Sequence, residues 1–285
     1  MPFLRPVASA ALAMLPLFAA APAFAQQQGA DTPPDLNRDT VMVGVGAAVV
    51  PSYDGSDKSV ITAAPAVRGR VSGINFALLG SRAWADLIAD NNGKGWDFQA
   101  GPVVNVNLNR TSRIDDRQVA ALGKVDTAIE AGGFVGLGKQ GLITSDYDKL
   151  TVGVSYIHDV GTVHKSYIVS PSVSYGTPLS RKAYVLLNLS ANYMGNGYAQ
   201  TYFGVTPGGS ARSGLPVYNA RKGWKDWTLG AMGNVSLTGD LTHGLSVVGG
   251  VAYRRMLDDA ADSPIVRIAG SRDQWFGALG LAYTF

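Results

Sequence analysis

The chain has 285 residues, with 24 Lys and Arg against 21 Asp and Glu, a formal net charge of +3 and no cysteine. So small a charge, with no basic stripe, excludes a nucleic-acid partner. The missing cysteines exclude disulfides, a thiolate metal site and a lipid-modified N-terminal Cys.

The first predicted element is an export signal. Arg5 is the only charge in the first thirty residues, an apolar run covers Val7 to Ala21, and Ala23-Phe24-Ala25 precedes Gln26. A basic start, a short apolar core and a small-x-small site predict a secretory signal peptide over 1–25. Cleavage there removes Arg5, which leaves 260 residues and a charge of +2. Residues 26–40 are polar, contain two prolines and carry no periodicity, and are read as a flexible periplasmic lead-in. The remainder, 41–285, contains no other helix-length apolar segment. A membrane crossing there requires a closed barrel, in which every backbone group finds a partner.

Alternation begins at Val41. Val41, Val43, Val45, Ala47 and Val49 share one face, opposite Met42, Gly44, Gly46 and Ala48. Further strands are predicted over Val60–Arg70, Trp96–Leu108, Val125–Leu137, Leu150–Tyr156, Tyr167–Gly176, Val185–Tyr193, Trp227–Leu237, Leu245–Arg254 and the final stretch from Asp273. Two shorter segments, Ile74–Leu79 and Arg82–Ala89, are ambiguous, and the second also fits a helical turn. Counting both gives an all-β, antiparallel transmembrane barrel of twelve strands, and dropping both gives ten. Pro65, Pro102 and Pro171 fall inside predicted strands. Since a closed barrel has no edge, they predict bulges or earlier strand ends.

Charge placement decides which way the faces point. The nine lysines, Lys58, Lys94, Lys124, Lys139, Lys149, Lys165, Lys182, Lys222 and Lys225, all fall in predicted loops or at strand ends. A lysine on a lipid-facing strand costs roughly 2–4 kcal/mol at the bilayer midplane. The in-strand charges Arg68, Arg70, Asp97, Glu130 and Arg254 sit on the small, polar face, so they are candidate lumen residues. A soluble barrel would instead clothe its outer face in charge. The last strand puts Trp275, Leu279, Leu281, Tyr283 and Phe285 on one face and ends on an aromatic, like the sorting signal of bacterial outer-membrane proteins. The predicted location is the outer membrane, with its lipid as the first partner. The long connections, Asn109–Lys124, Gly195–Asp226 and Asp258–Arg272, count back to the extracellular side.

His158-Asp159 with His164 is the best candidate catalytic constellation. The plainer reading is that His158 continues an outward aromatic face and Asp159 opens a turn, so no catalytic residue is assigned. No third ligand stands near the two histidines, and no metal or cofactor site is predicted. The longest connection is rich in aromatics, and Tyr198, Tyr202, Phe203, Tyr218 and Trp224 are candidate contact residues.

The same connection carries Tyr202-Phe203-Gly204-Val205-Thr206-Pro207 and Ser213-Gly214-Leu215-Pro216-Val217-Tyr218. Together with the early Pro51-Ser52-Tyr53-Asp54-Gly55-Ser56-Asp57 and the terminal Gly280-Leu281-Ala282-Tyr283-Thr284-Phe285, this resembles the MipA/OmpV family of outer-membrane proteins, from about Val41 to Phe285. The resemblance implies a non-enzymatic barrel. It also implies a scaffold joining a murein-cleaving lytic transglycosylase to a murein-synthesising penicillin-binding protein. The alternative is a small porin, or a solute-binding or adhesive barrel.

Overall fold

The computed structural model describes residues 38–89, 95–112 and 114–285. The signal peptide and nearly all of the lead-in lie outside the described residues, as does Lys94. Twelve antiparallel strands close on themselves: β1 (Thr40–Pro51), β2 (Ser59–Val71), β3 (Ile74–Leu79), β4 (Arg82–Ala85), β5 (Trp96–Asn107), β6 (Ala128–Gln140), β7 (Lys149–Asp159), β8 (Tyr167–Pro178), β9 (Ala183–Met194), β10 (Gly223–Ser236), β11 (Gly244–Met256) and β12 (Asp273–Thr284). Each strand pairs with its chain neighbours, and β12 returns to β1. Among the described residues no helix is long and apolar enough to cross a membrane.

Two-residue periodicity sets the orientation of the wall. Val43, Val45 and Val49 of β1 and Trp275, Leu279 and Leu281 of β12 stand exposed, Val45 at 69% and Leu279 at 60%. A soluble barrel would bury those side chains, so this outer face is made for hydrocarbon. Small residues meet on the other face where the barrel closes: Gly44 opposite Ala282, Gly46 opposite Gly280, Ala48 opposite Ala278. A Cβ on Gly46 would stand 2.3 Å from the Leu279 carbonyl oxygen, so the seam requires glycine there.

Both ambiguous segments are strands. β4 is only four residues long, too short to show a period, and ends at Ala85 rather than Ala89. Beyond it the Asp86 carboxylate takes over as acceptor, receiving N–H bonds from Ala100 at 3.0 Å and Ile88 at 3.1 Å. The strand at 125–137 starts later, at Ala128, and the one at 227–237 starts earlier, at Gly223.

Each in-strand proline sits where a ladder lapses. Pro65 accepts from the Gly80 N–H at the tip of the β3–β4 hairpin, and from Ser59 to Ala64 β2 pairs with β1 alone. That stretch is an edge, contrary to the expectation that a closed barrel has none; the shortness of β3 and β4 creates it. Pro102 lies just past the last β4–β5 pair, Trp84 with Val103. Pro171 falls in a gap of the β8–β9 ladder, between the pairs Val169–Tyr193 and Ser172–Ser190.

The two ends of the wall differ. At one end the connections are short, such as Ser72–Gly73 and residues 179–182. At the other, three long connections carry the helices α1 (Arg117–Leu122), α2 (Asn196–Phe203), α3 (Pro207–Ser213), α4 (Asp258–Asp262) and α5 (Pro264–Arg267). These helices form a lid with its own core. Tyr198, Ala199, Tyr202 and Phe203 of α2 pack with Ala260 and Ala261 of α4 and with Val103, Ile157, Ile168, Met194 and Met256, which come from five different strands. A second cluster joins Tyr53, Val119, Val205, Leu215 and Ile265. Helix α2 therefore fills the mouth of the barrel.

Candidate functional site

Beneath the lid lies a buried ionic network that starts from a bulge. The register of β9 and β10 shifts between Trp224 and Asp226, and Lys225 is the extra residue. The bulge turns two successive side chains inward, leaving Lys225 at 6% and Asp226 at 0% exposure, while Trp224 faces out at 42%. Lys225 Nζ reaches Asp54 Oδ2 at 2.9 Å and Asp226 Oδ2 at 3.0 Å. Arg254 Nη1 donates to Asp54 Oδ1 at 3.0 Å, and its guanidinium lies 4.6 Å from the Phe276 ring centroid. Asn192 donates to Asp226 Oδ1 at 2.7 Å. Two cations thus meet two carboxylates from three separate segments, and buried charges require that matching. Burial alone would raise the Asp54 carboxyl, but Lys225 and Arg254 hold it down at about 2. Gln274 pins the same loop: its Oε1 accepts from Gly55 N at 3.1 Å, and its Nε2 donates to the Ser56 carbonyl at 2.9 Å.

A second polar knot forms around Glu130. Asn105 and Asn107 donate to its carboxylate at 2.7 and 2.9 Å, and His164 Nε2 lies 3.0 Å from Oε1. Nearer the short-turn end, Lys149 pairs with Asp97 at 2.6 Å. Arg82 donates to Ser155 Oγ at 2.9 Å, and Trp84 meets Phe134 edge-on at 5.7 Å. The candidate lumen residues Glu130 and Arg254 are parts of the buried networks, Asp97 carries the Lys149 pair, and Arg68 and Arg70 stand on β2, where Arg70 is buried.

The candidate contact residues divide differently. Tyr202 and Phe203, at 1% and 0% exposure, are core of the lid and face no partner. Tyr218 donates to the Asp259 carbonyl at 3.1 Å, holding α4. Only Trp224 is outward, edge-on to Tyr193 at 5.5 Å in the aromatic rim. His158 and Asp159 do not form an acid–imidazole couple. His158 Nδ1 faces the Asp159 backbone oxygen at 2.8 Å, while the Asp159 carboxylate accepts from the N–H groups of Gly161, His164 and Lys165. No cluster of three metal-ligating side chains occurs among the described residues.

Sequence reasoning assigned no role to Asp54, Lys225 or Asp226, and it set His164 beside His158 and Asp159 rather than against Glu130. Asp54 stands within the early motif, and that was the one available signal. Nothing in the sequence marks the bulge that turns Lys225 and Asp226 inward together.

The short-turn end has features of its own. Asp148, fully buried, gathers the 141–148 turn by accepting from Leu142 N at 2.8 Å, Ile143 N at 2.9 Å, Thr144 N, and the Tyr175 hydroxyl at 3.0 Å. Burial would raise this carboxyl, but those donors hold it well below the usual carboxylate range. The turn so fixed exposes Leu142 and Ile143, and neighbouring connections expose Leu87, Ile88 and Leu179. Ile143 stands at 65% and Leu179 at 63%.

An edge-to-edge apolar exterior, a small and polar interior, and long loops at one end define an outer-membrane β-barrel. The family model of the MltA-interacting protein MipA matches residues 43–285. The chain belongs to that family. No curated protein matches it. Among solved structures it is similar to OmpT of Vibrio cholerae (10% identity, 80% of this chain and 65% of that one, TM-score 0.32). It thus spans about two thirds of the length of that protein. It is also similar to the CymD monoaromatic hydrocarbon channel (9% identity, 87% and 89% covered, TM-score 0.37) and to a Pseudomonas aeruginosa FadL homologue (8%, 87% and 90%, TM-score 0.34).

Proposed function

We propose that this barrel is a scaffold that holds a murein-cleaving lytic transglycosylase at the outer membrane, together with a murein-synthesising penicillin-binding protein. The observation that carries this reading is the apolar rim of the short-turn end. By the loop asymmetry of such barrels, that end faces the periplasm. Leu142, Ile143, Leu87, Ile88 and Leu179 stand in its connections, outside the strands. Exposed apolar groups clustered on rigid turns favour protein docking. The family's description as MltA-interacting supports that partner.

The filled mouth speaks against an open porin, since α2 and its packing partners cross the path a solute would take. The reading assigns no reaction to the barrel. Capture of the lytic transglycosylase by the purified, detergent-solubilised barrel tests it. Capture well above that of an unrelated barrel is expected, with loss on Ile143→Glu combined with Leu179→Glu. Capture that this double variant leaves unchanged, or no enrichment at all, overturns the reading. Planar-bilayer recordings should be silent, and a steady open conductance would favour the porin alternative.

A further inference from the structure

Lys225 is buried and Arg254 half-buried, each with carboxylates beside it; Arg110 is buried without one. It is 5% exposed, its Nη2 donates to the Gly123 carbonyl at 2.9 Å and its Nη1 reaches the Tyr202 carbonyl at 3.5 Å. Its Nε is buried and has no hydrogen-bond partner. Among the described residues no carboxylate pairs with it. Burial pulls its guanidinium below the ordinary value, and only Tyr53 and Tyr202 oppose that pull. A buried charge met by neutral carbonyls alone carries a large desolvation cost. An arriving anion would remove much of that cost.

The space beside Arg110 suits such an anion. A cleft of about 270 Å³ opens between the β5–β6 and β9–β10 connections, and Arg110, Lys124, Gln200, Thr201 and Thr206 supply its polar lining. No Asp or Glu lines it. Gln200 Oε1 is buried there without a partner, an acceptor that only an incoming donor can satisfy. Ligand pockets usually begin near 300 Å³, so the occupant is about the size of a monosaccharide. We propose that this cleft binds a small hydroxylated anion of the sugar-phosphate type. The phosphate lies between Arg110 and Lys124, and a sugar hydroxyl donates to Gln200. The site is at the end opposite the apolar rim and stands independently of the scaffold reading. Its ligand chemistry has two sources, a free sugar phosphate or the phosphorylated sugar headgroup of a glycolipid.

Calorimetric titration of the refolded, full barrel with glucose 6-phosphate tests the proposal, with glucose as the uncharged control. Saturable binding to glucose 6-phosphate alone is expected, weakening as salt rises. Arg110→Gln should lower affinity roughly tenfold or more, through loss of a charge-assisted contact. Lys124→Gln, at an exposed residue that leaves the fold intact, should lower it about two- to fivefold. Arg255→Gln, a cation outside the cleft, should leave it unchanged. Equal binding of glucose, or wild-type affinity in Lys124→Gln, overturns the proposal even where Arg110→Gln fails to fold. Displacement of glucose 6-phosphate by vesicles carrying a phosphorylated glycolipid assigns the site to a headgroup, and lack of displacement assigns it to the free solute.

Discussion

The two ends of this barrel differ in whether they build an apolar core of their own. At the long-loop end Tyr202, Phe203, Leu215 and Ile265 are fully buried, and the lid they form closes over matched charges. At the short-turn end Leu87, Ile143 and Leu179 are more than half exposed, on connections whose backbones are fixed by Asp86, Asp148 and Ser180 in turn. One end finishes a core of its own; the other is rigid but unfinished. The difference teaches where to look for a protein partner, because apolar surface held on ordered turns gains stability when something covers it. It also separates two kinds of exposed leucine. Leu279 is exposed in the band that lipid covers, whereas Leu179 lies beyond it.

The largest effect that can break this comparison lies in the lid. Phe203→Ala removes a side chain with no exposure from the cluster that bridges five strands, and should destabilise the lid by about 3–5 kcal/mol. The β-ladders that close the wall do not pass through Phe203. Protease cutting within 195–222 should therefore rise sharply while the barrel keeps its resistance to detergent unfolding. Loss of both together would show that the lid is no separate unit.

Next comes Asp54. Asp54→Ala leaves Lys225 and Arg254 to share Asp226, an uncompensated buried charge costing about 3 kcal/mol. The same residue gives the lid an acid dependence of known sign. Its carboxyl is lowered from 3.8 to about 2, so its contribution is complete above pH 3.8 and disappears as pH falls through 2. Hydrogen-exchange protection of α2 should be level from pH 7 down to 4 and then decline. In Asp54→Ala that decline should be smaller.

How much of this could be read from the chain depends on the length of each element. The wall was legible because strands of eleven to fourteen residues repeat the alternation many times, and because lysine avoids their middles. The hairpin at 74–85 was only half legible, since β4 has four residues. The lid left no periodic trace: its helices run from four to eight residues, and α3 begins Pro207-Gly208-Gly209. Tyr202 and Phe203 therefore looked like surface aromatics on a loop. Glu130 was visible on the inner face, but its partner His164 is 34 residues away, and that pairing is a product of the fold.

A smaller effect is expected at the other end. Asp148→Ala strips the acceptor from the N–H groups of Leu142, Ile143 and Thr144, a loss of about 1–3 kcal/mol felt within the 141–148 turn. Exchange should quicken there and stay unchanged in α2. If capture of the murein enzyme depends on a fixed turn, it should weaken along with that protection.

The smallest expected change in stability is the most informative about function. Ile143→Ser alters a side chain that is 65% exposed, outside the strands, and used for no hydrogen bond beyond its backbone N–H to Asp148. Surface exchanges of that kind usually stay within about 0.5 kcal/mol. Thermal unfolding of the barrel in micelles should therefore be unchanged, as should the acid profile of the lid. An isoleucine buried in a partner, by contrast, contributes about 1.5–3 kcal/mol of transfer free energy, or roughly tenfold to a hundredfold in affinity. Binding of the lytic transglycosylase to immobilised barrel should fall by that order. If both stability and binding stay level, Ile143 is an idle surface residue and the apolar rim loses its strongest member. If stability alone falls, Ile143 packs against its own turn, and the distinction between a finished end and an unfinished one fails at that position.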